Sequence, residues 1–440
     1  MTVPVLPRLR ARTLEAPPQP DLFDLIPPDV DAATVVSWVR EGSGMVGWGR
    51  AASSAGTVAA GTDRFDAAAR WWRDVVAGAE VVDEVRLPGT GLVAFGSFAF
   101  AAESADAGEL VVPRVVAGQR DGRAWVTSIE ALEEDGTVPP QTRAASPQDD
   151  HPEAVQLLDG AVPAREWPAV IASAIGRIEA GEVDKVVLAR DVLAVSGHPI
   201  DTVALLRRLA DRYAATWTFA VNGLIGATPE MLVRLQGGQV RSRVLAGTVR
   251  RDQTPAPSVT EPHPELEEPH ASDPRLHLVS STKDLEEHAF AVRSVAEALG
   301  PHCASLDVPE KPFVLELPDV YHLATDLSGE AGDDATSLDL AAALHPSAAV
   351  CGTPARDAAR LISELEGMDR GRYAGPVGWV DASGDGDWGI ALRCGQLATD
   401  THSMRLFAGG GIVAASDPRA ELAETEVKLA AMRHALGLGS

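Results

Sequence analysis

GGGIVAASDPRAELAETEVK, residues 409–428, is the stretch on which the fold reading turns. Its three consecutive glycines stand between a strand-like run, Met404–Ala408, and a helix that Ser416 or Asp417 can cap and whose first turn suits Pro418. Glycines ahead of a helix invite comparison with a dinucleotide fold. The spacing is not GxGxxG, however, and no parallel strand–helix–strand unit surrounds it, which excludes that reading. Backbone amides at glycines before a helix N-terminus can still hold an anion. In the helix itself Glu421 and Glu424 stand three residues apart and share a face, with Lys428 four residues beyond Glu424.

Reading back from this stretch, Val377–Asp381 and Trp388–Arg393 flank SGDGD, a turn signal, and Arg393 at the end of an apolar run can clamp a carboxylate with its guanidinium. Ser281–Leu299 has helical spacing, stops at Gly300 and carries a second i, i+3 pair of acids, Asp284 and Glu287. His288, next to them, is expected to pack on its own helix. A Gly237-Gly238 turn joins Met231–Leu235 to Val240–Ala246 as a hairpin. Pro168–Glu179 reads as a helix and Lys185–Val195 as a β-branched strand; Ala67–Ala77 is another helix, and Leu92–Phe100 and Leu110–Val116 are strands. Residues 1–40 are Pro-rich and read as an extended lead-in to a domain over 41–440. Glu133–Glu153 and 251–275 read as long acidic loops. There is no internal repeat. The whole is α+β with substantial antiparallel sheet.

Composition narrows the function. The chain has 440 residues, with 38 Lys+Arg against 63 Asp+Glu and a net charge of −25. Such an acidic balance argues against nucleic acid, which calls for basic surface. No apolar run is long enough to span a bilayer, and the N-terminus lacks a secretory core. Cys303, Cys351 and Cys394 are widely spaced, and three thiols without CxxC give neither a disulfide framework nor a zinc site. The expectation is a cytoplasmic enzyme with local basic pockets.

Only four of the cationic residues are lysines: Lys185, Lys283, Lys311 and Lys428. Arginine cannot serve as a titratable base, so a chain that avoids lysine can be keeping it where a proton must move. Lys185 opens an apolar strand, where lost hydration favours the neutral amine of a general base; an edge lysine with its tip in water is the competing reading. Glu230 follows the tight loop Gly226-Ala227-Thr228-Pro229, and a carboxyl kept from solvent there suits a general acid. The two helical acid pairs, brought together, make a hard-oxygen site suited to Mg²⁺; two solvated helix faces are the alternative.

Together these segments resemble the chorismate-utilising enzymes, and among them the isochorismate synthases. The collinear motifs are KVVLAR (185–190), GATPE (226–230), LAGT (245–248), SSTKDLEEH (280–288), HPSAAVCGTP (345–354), RYAGPVGW (372–379), IALR (390–393) and residues 409–428. They fill 165–430 densely; FGSFAF (95–100) and LVVPR (110–114) extend the likeness upstream. The resemblance implies one large domain of two face-packed, mainly antiparallel sheets with helices outside. It implies chorismate as substrate and Mg²⁺ as cofactor, with Glu287 and Glu424 as metal ligands and Asp284 and Glu421 beside them. Arg393 and Tyr373 match positions that hold the enolpyruvyl carboxylate. Lys428 matches a substrate-side lysine, and Gly247, Thr248, Gly410 and Gly411 match pocket-lining positions.

Lys185 as base and Glu230 as acid fit the family positions and the chemistry, because moving a ring hydroxyl from C4 to C2 needs a base on one face and an acid on the other. Related enzymes define the alternatives. Salicylate synthases go on to eliminate pyruvate and tend to carry Thr where this chain has Ala349. Anthranilate and aminodeoxychorismate synthases draw ammonia from an amidotransferase, of which this chain has no trace, and the anthranilate enzymes lack the lysine at 185. A chorismate-binding protein without catalysis would not need Lys185, Glu230 and the metal acids together. The expectation is therefore a monomeric isochorismate synthase without an obligate amidotransferase partner, feeding menaquinone or siderophore synthesis.

Overall fold

A computed structural model describes residues 8–55, 63–132, 155–250, 274–316, 320–332 and 334–438. The chain forms two compact units, one of Met1–Gly238 with Asp334–Ser440 and the other of Gln239–Asp333.

In the larger unit, short two-residue turns join six strands of a thirteen-stranded sheet into three hairpins. Glu41-Gly42, Asp121-Gly122 and Asn222-Gly223 all have positive φ at both positions. This is the type I′ geometry whose twist matches paired strands, and it folds Val36–Arg40 onto Ser43–Trp48, Val115–Arg120 onto Arg123–Leu132, and Trp217–Val221 onto Leu224–Thr228. The strand Lys185–Val195 lies near one edge, between Gln156–Asp159 and Ser403–Ile412, and Gly352–Thr353 adds to its first two residues. Neighbouring strands are antiparallel except at the far edge, where Arg8–Ala16 runs parallel to Glu80–Asp83.

That edge corrects the reading of residues 1–40 as a lead-in. Arg8–Ala16 alternates exposed and buried positions, with Leu9, Ala11 and Thr13 at 0% exposure, and pairs with Arg123–Leu132 along its whole length. Leu22, Phe23 and Ile26 enter the core just after it. The prolines between these segments punctuate the chain without freeing it.

A second antiparallel sheet in this unit sets Met231–Gln236, Gly386–Ile390, Pro376–Asp381, Val93–Phe98, Gly108–Val112 and Ala52–Ser53 side by side. Both its faces are buried: Phe95, Phe98, Trp379 and Trp388 are all inaccessible. Arg372, itself buried, joins the two sheets. Its guanidinium donates to Ser97 Oγ at 2.7 Å on one sheet and to the Val221 carbonyl at 3.0 Å and Gln396 Oε1 at 2.6 Å on the other. Outside the first sheet, Thr202–Arg212 and Pro418–Ala435 bury Leu205, Leu209, Leu429 and Met432 against Ala194, Met404 and Leu406. The last helix starts as its sequence specifies, with Asp417 accepting from the amides of Arg419 and Ala420 at 3.0 and 2.8 Å.

The smaller unit is a long antiparallel pair, Gln239–Arg250 with Val320–Ala331, widened by Cys303–Asp307 and Phe313–Glu316. The helix Thr282–Leu299 lies across it, packing Val292 on Val244 and Leu327. His288 is buried with ring nitrogens 3.1 Å from the Ala246 carbonyl and 2.7 Å from Thr325 Oγ1, so it ties helix to strands and not merely to its own helix. The register slips between Ala246 and Thr248, and Gly247, at φ +76°, is the bulged residue. The α+β class and the antiparallel sheets are as expected. The loops expected at Glu133–Glu153 and over most of 251–275 lie outside the described residues.

Candidate active site

The glycines 409–411 do not form a loop ahead of the last helix, as their sequence suggests. They lie inside the strand Ser403–Ile412, paired with Ala189, Leu188 and Val187, and the helix starts only at Pro418. Their amides therefore do not form a helix-terminal anion nest. Close approach is what requires glycine here. A Cβ on Gly411 would lie 2.9 Å from Lys185 Cε and 3.6 Å from its Nζ, and one on Gly410 would lie 3.2 Å from Glu421 Oε2 and 3.5 Å from Glu424 Oε1. Gly411 thus leaves room for Lys185, and Gly410 for Glu421 and Glu424.

The last helix supplies one wall. Glu421 and Glu424 are one turn apart, as the i, i+3 spacing demands, and both carboxylates reach Gly410. Lys428, one further turn on, donates to Glu424 Oε1 at 2.7 Å and to the Gly409 carbonyl at 2.7 Å, which fixes the helix face on the strand.

Glu230 sits in the loop after Leu224–Thr228. Thr228 Oγ1 donates to the Ile390 carbonyl at 2.6 Å, the Ile390 amide donates to the Glu230 carbonyl at 3.1 Å, and the Ala227 amide donates to the Arg393 carbonyl at 3.2 Å. The segments GATPE and IALR are thus zipped together. Arg393 does not end a strand: the strand stops at Ile390, and Arg393 sits two residues short of Gly395 in the left-handed region, at φ +48°. A non-glycine residue held there is strained, as is common where a side chain must be aimed. Burial pushes the Glu230 carboxyl up to about 7, against the pull of Lys428, Lys185 and Arg393. Those three cations are the charges that Glu230 feels, so the base and acid candidates share one site.

Tyr373 is buried and stacks on Phe407, with ring centroids 5.0 Å apart and planes within 9°. Phe407 lies two residues before Gly409. Burial raises the phenol well above its ordinary range, so it stays a neutral hydrogen-bond donor. Ala349 is exposed, two residues ahead of Cys351, whose carbonyl accepts from the Val187 amide at 2.9 Å. Gly247 forms the bulge of the smaller unit. The side chains of Thr248, Asp284 and Glu287 lie outside the described residues.

Among the described residues no three His, Cys, Asp or Glu side chains cluster into a metal site by themselves. The pair Glu421 and Glu424 still fits a magnesium ion. Their oxygens converge over a residue without a side chain, and Mg²⁺ characteristically takes one or two carboxylates. Two features escape a reading of the sequence. One is the Gly409 carbonyl as an anchor for Lys428. The other is a buried ion pair, Glu366 with Arg370, beneath the Lys185 strand. Two arginines within three residues of an apolar motif, Arg370 and Arg372 before YAGPVGW, are the signal that marks the second.

The sequence profile of the family described as "Chorismate binding enzyme" matches residues 36–437, so the chain belongs to the chorismate-binding enzymes. It is 41% identical over 278 residues to isochorismate synthase DhbC of Bacillus subtilis, covering 60% of this chain and 66% of that one. Isochorismate synthase EntC of Escherichia coli is 36% identical over 274 residues, 61% of this chain and 66% of the relative. Each match spans just under two thirds of the relative's length. In structure, the chain superposes on MenF, the menaquinone-specific isochorismate synthase of Escherichia coli, with a TM-score of 0.73 at 23% identity, covering 99% of this chain and 96% of that one. No helix among the described residues is long and apolar enough to cross a membrane.

Proposed function

We infer that the protein is an isochorismate synthase, an isomerase that moves the ring hydroxyl of chorismate from C4 to C2. Membership of the chorismate-binding enzymes supports this, as do relatives that carry that name. The observation that carries the reading is the Glu230 carboxyl. Burial raises it to about 7, against the opposing charges of Lys428, Lys185 and Arg393.

In this mechanism water adds at C2 while Lys185 takes its proton. The ring double bonds shift, and the C4 hydroxyl leaves as water with the proton of Glu230. A carboxyl titrating near 7 holds that proton at working pH, where an ordinary glutamate has lost it. Arg393 and the neutral Tyr373 phenol hold the enolpyruvyl carboxylate, and Lys428 lies on the substrate side of the helix wall. Glu424 with Glu421 would hold Mg²⁺. Bound there, the ion would neutralise the ring carboxylate and would accept charge that builds up on it. Ala349 favours release of isochorismate over pyruvate elimination. Water as nucleophile makes an amidotransferase partner unnecessary, and a monomer suffices.

The test is product analysis by NMR after incubation with chorismate, with Mg²⁺ or EDTA and with or without ammonium. Isochorismate approaching a stable mixture with chorismate, and lost in EDTA, is the expected result. Salicylate with pyruvate would make the protein a lyase, an aminated product would move it to the ammonia-using branch, and unchanged chorismate in every tube would leave a binding protein.

A further inference from the structure

The strand Lys185–Val195 lacks a strand partner over part of one side. There Gly352–Thr353 pairs only with its first two residues and Gln156–Asp159 only with Val192–Val195. Buried backbone groups in such a gap need other partners. A side-chain ion pair fills it. Glu366 accepts from the Ala189 amide at 2.7 Å, and Arg370 donates through Nη2 to the Val187 carbonyl at 2.7 Å. The two residues are 1% and 4% exposed and bond each other through Arg370 Nε at 2.9 Å and Nη2 at 2.5 Å.

The same guanidinium reaches a second segment. Its Nη1 donates to the Val350 carbonyl at 2.9 Å, one residue after Ala349, and its carbon lies 4.2 Å above the ring of Phe100. Phe100 in turn takes His345 Nε2 on its carbonyl at 2.9 Å. Both ends of HPSAAV, residues 345–350, are therefore gripped by one Arg370–Phe100 hub. That hub also holds the backbone two residues beyond Lys185. Arg370 takes hold of both segments by their backbone carbonyls, at Val187 and at Val350.

We propose that Arg370, paired with Glu366, is a positioning residue: it sets the spacing between the strand that carries Lys185 and the segment that carries Ala349, and so the geometry in which the reaction runs. The proposal rests on the isochorismate synthase reading. Its chemical basis is that a base displaced by about 1 Å can cost on the order of a hundredfold in rate. Lysine at 370 keeps one charge against Glu366 but lacks the fork that spans two carbonyls as well.

The experiment measures kcat and KM for chorismate with Mg²⁺ in the wild type, Arg370→Lys, Ala349→Thr and the double variant, with urea unfolding of each. Arg370→Lys is expected to stay folded and lose about tenfold or more in kcat, with KM changed less than about threefold. The two substitutions are expected to depart from additivity by about fivefold or more, because Arg370 holds the backbone next to Ala349. A folded Arg370→Lys with wild-type kcat, or strict additivity with Ala349→Thr, would overturn the proposal and leave the ion pair a purely structural filler. If Arg370→Lys does not fold, Phe100→Leu loosens the hub without unpairing a buried charge. It is then expected to lower kcat about threefold, and unchanged kcat in that variant would overturn the proposal equally. A wild type that makes no isochorismate would instead sink the functional reading.

Discussion

The two edges of the strand Lys185–Val195 are built in opposite ways. Along one, Gly409, Gly410 and Gly411 pair with it and contribute no side chains, which leaves room for Lys185 at Gly411 and for Glu421 and Glu424 at Gly410. Along the other the ladder is interrupted, and a buried Glu366–Arg370 pair replaces the missing backbone partners. The first edge makes room; the second makes the strand rigid. A base that must meet a small substrate needs both, and a single strand supplies them because its two sides hydrogen-bond independently.

The largest effect expected from this contrast is at Lys185. Lys185→Ala should cost a thousandfold or more in kcat, by the usual worth of a general base of about 10²–10⁴, with isochorismate formation measured by chromatography and an unchanged unfolding midpoint. Next is the rigid edge. Glu366→Ala strands a buried guanidinium and should lower stability in urea by about 3–5 kcal/mol, the usual cost of breaking a buried pair. On the open edge the outcome reverses. In Gly411→Ala the methyl would meet Lys185 Cε at 2.9 Å, and the flexible lysine must move. Activity should fall by about a hundredfold while stability changes little. Comparable losses of stability at Gly411 and Glu366 would erase the distinction between the edges.

The smallest effect is in pH. Because the raised Glu230 carboxyl must be protonated to act, kcat/KM should fall about tenfold per unit as pH rises above about 7, and Glu230→Gln should lose that limb together with most of the rate. The stability sign is the same: with a folded value near 7 against 4.5 in the unfolded chain, the contribution of Glu230 is fully present below 4.5 and gone once pH exceeds about 7. A rate that stays flat from pH 6 to pH 9 would remove Glu230 from the acid role.

Much of the site is legible before any coordinates. The cap and first turn of the last helix follow from Asp417 and Pro418, and the i, i+3 spacing puts Glu421 and Glu424 on one face whatever the helix packs against. Scarcity of lysine singles out Lys185 and Lys428, whose charges both act on Glu230. The misreadings share a cause. Gly409–Gly411 look like a loop because glycine weakens a strand locally, yet they are strand because the neighbouring ladder accepts them and the side chains above exclude anything larger. Arg393 looks like a strand end because its left-handed φ depends on bonds made by Ala227, far off in sequence. Residues 1–40 look loose because their prolines are visible and their partner strand, Arg123–Leu132, is more than a hundred residues away.

What the sequence determined by itself is local and periodic: caps, the paired glycine-containing turns, the alternation of strands, and which acids share a helical face. These depend on dihedral preferences and on spacing along one chain segment. What only the tertiary structure decided is which segments face one another: that a strand of glycines lies under Lys185, that Glu230 is pushed towards neutrality beside three cations, and that Arg370 holds two distant backbones at once. Close approach, desolvation and the pairing of buried charges are properties of neighbours in space, and no window of sequence contains both members of such a pair.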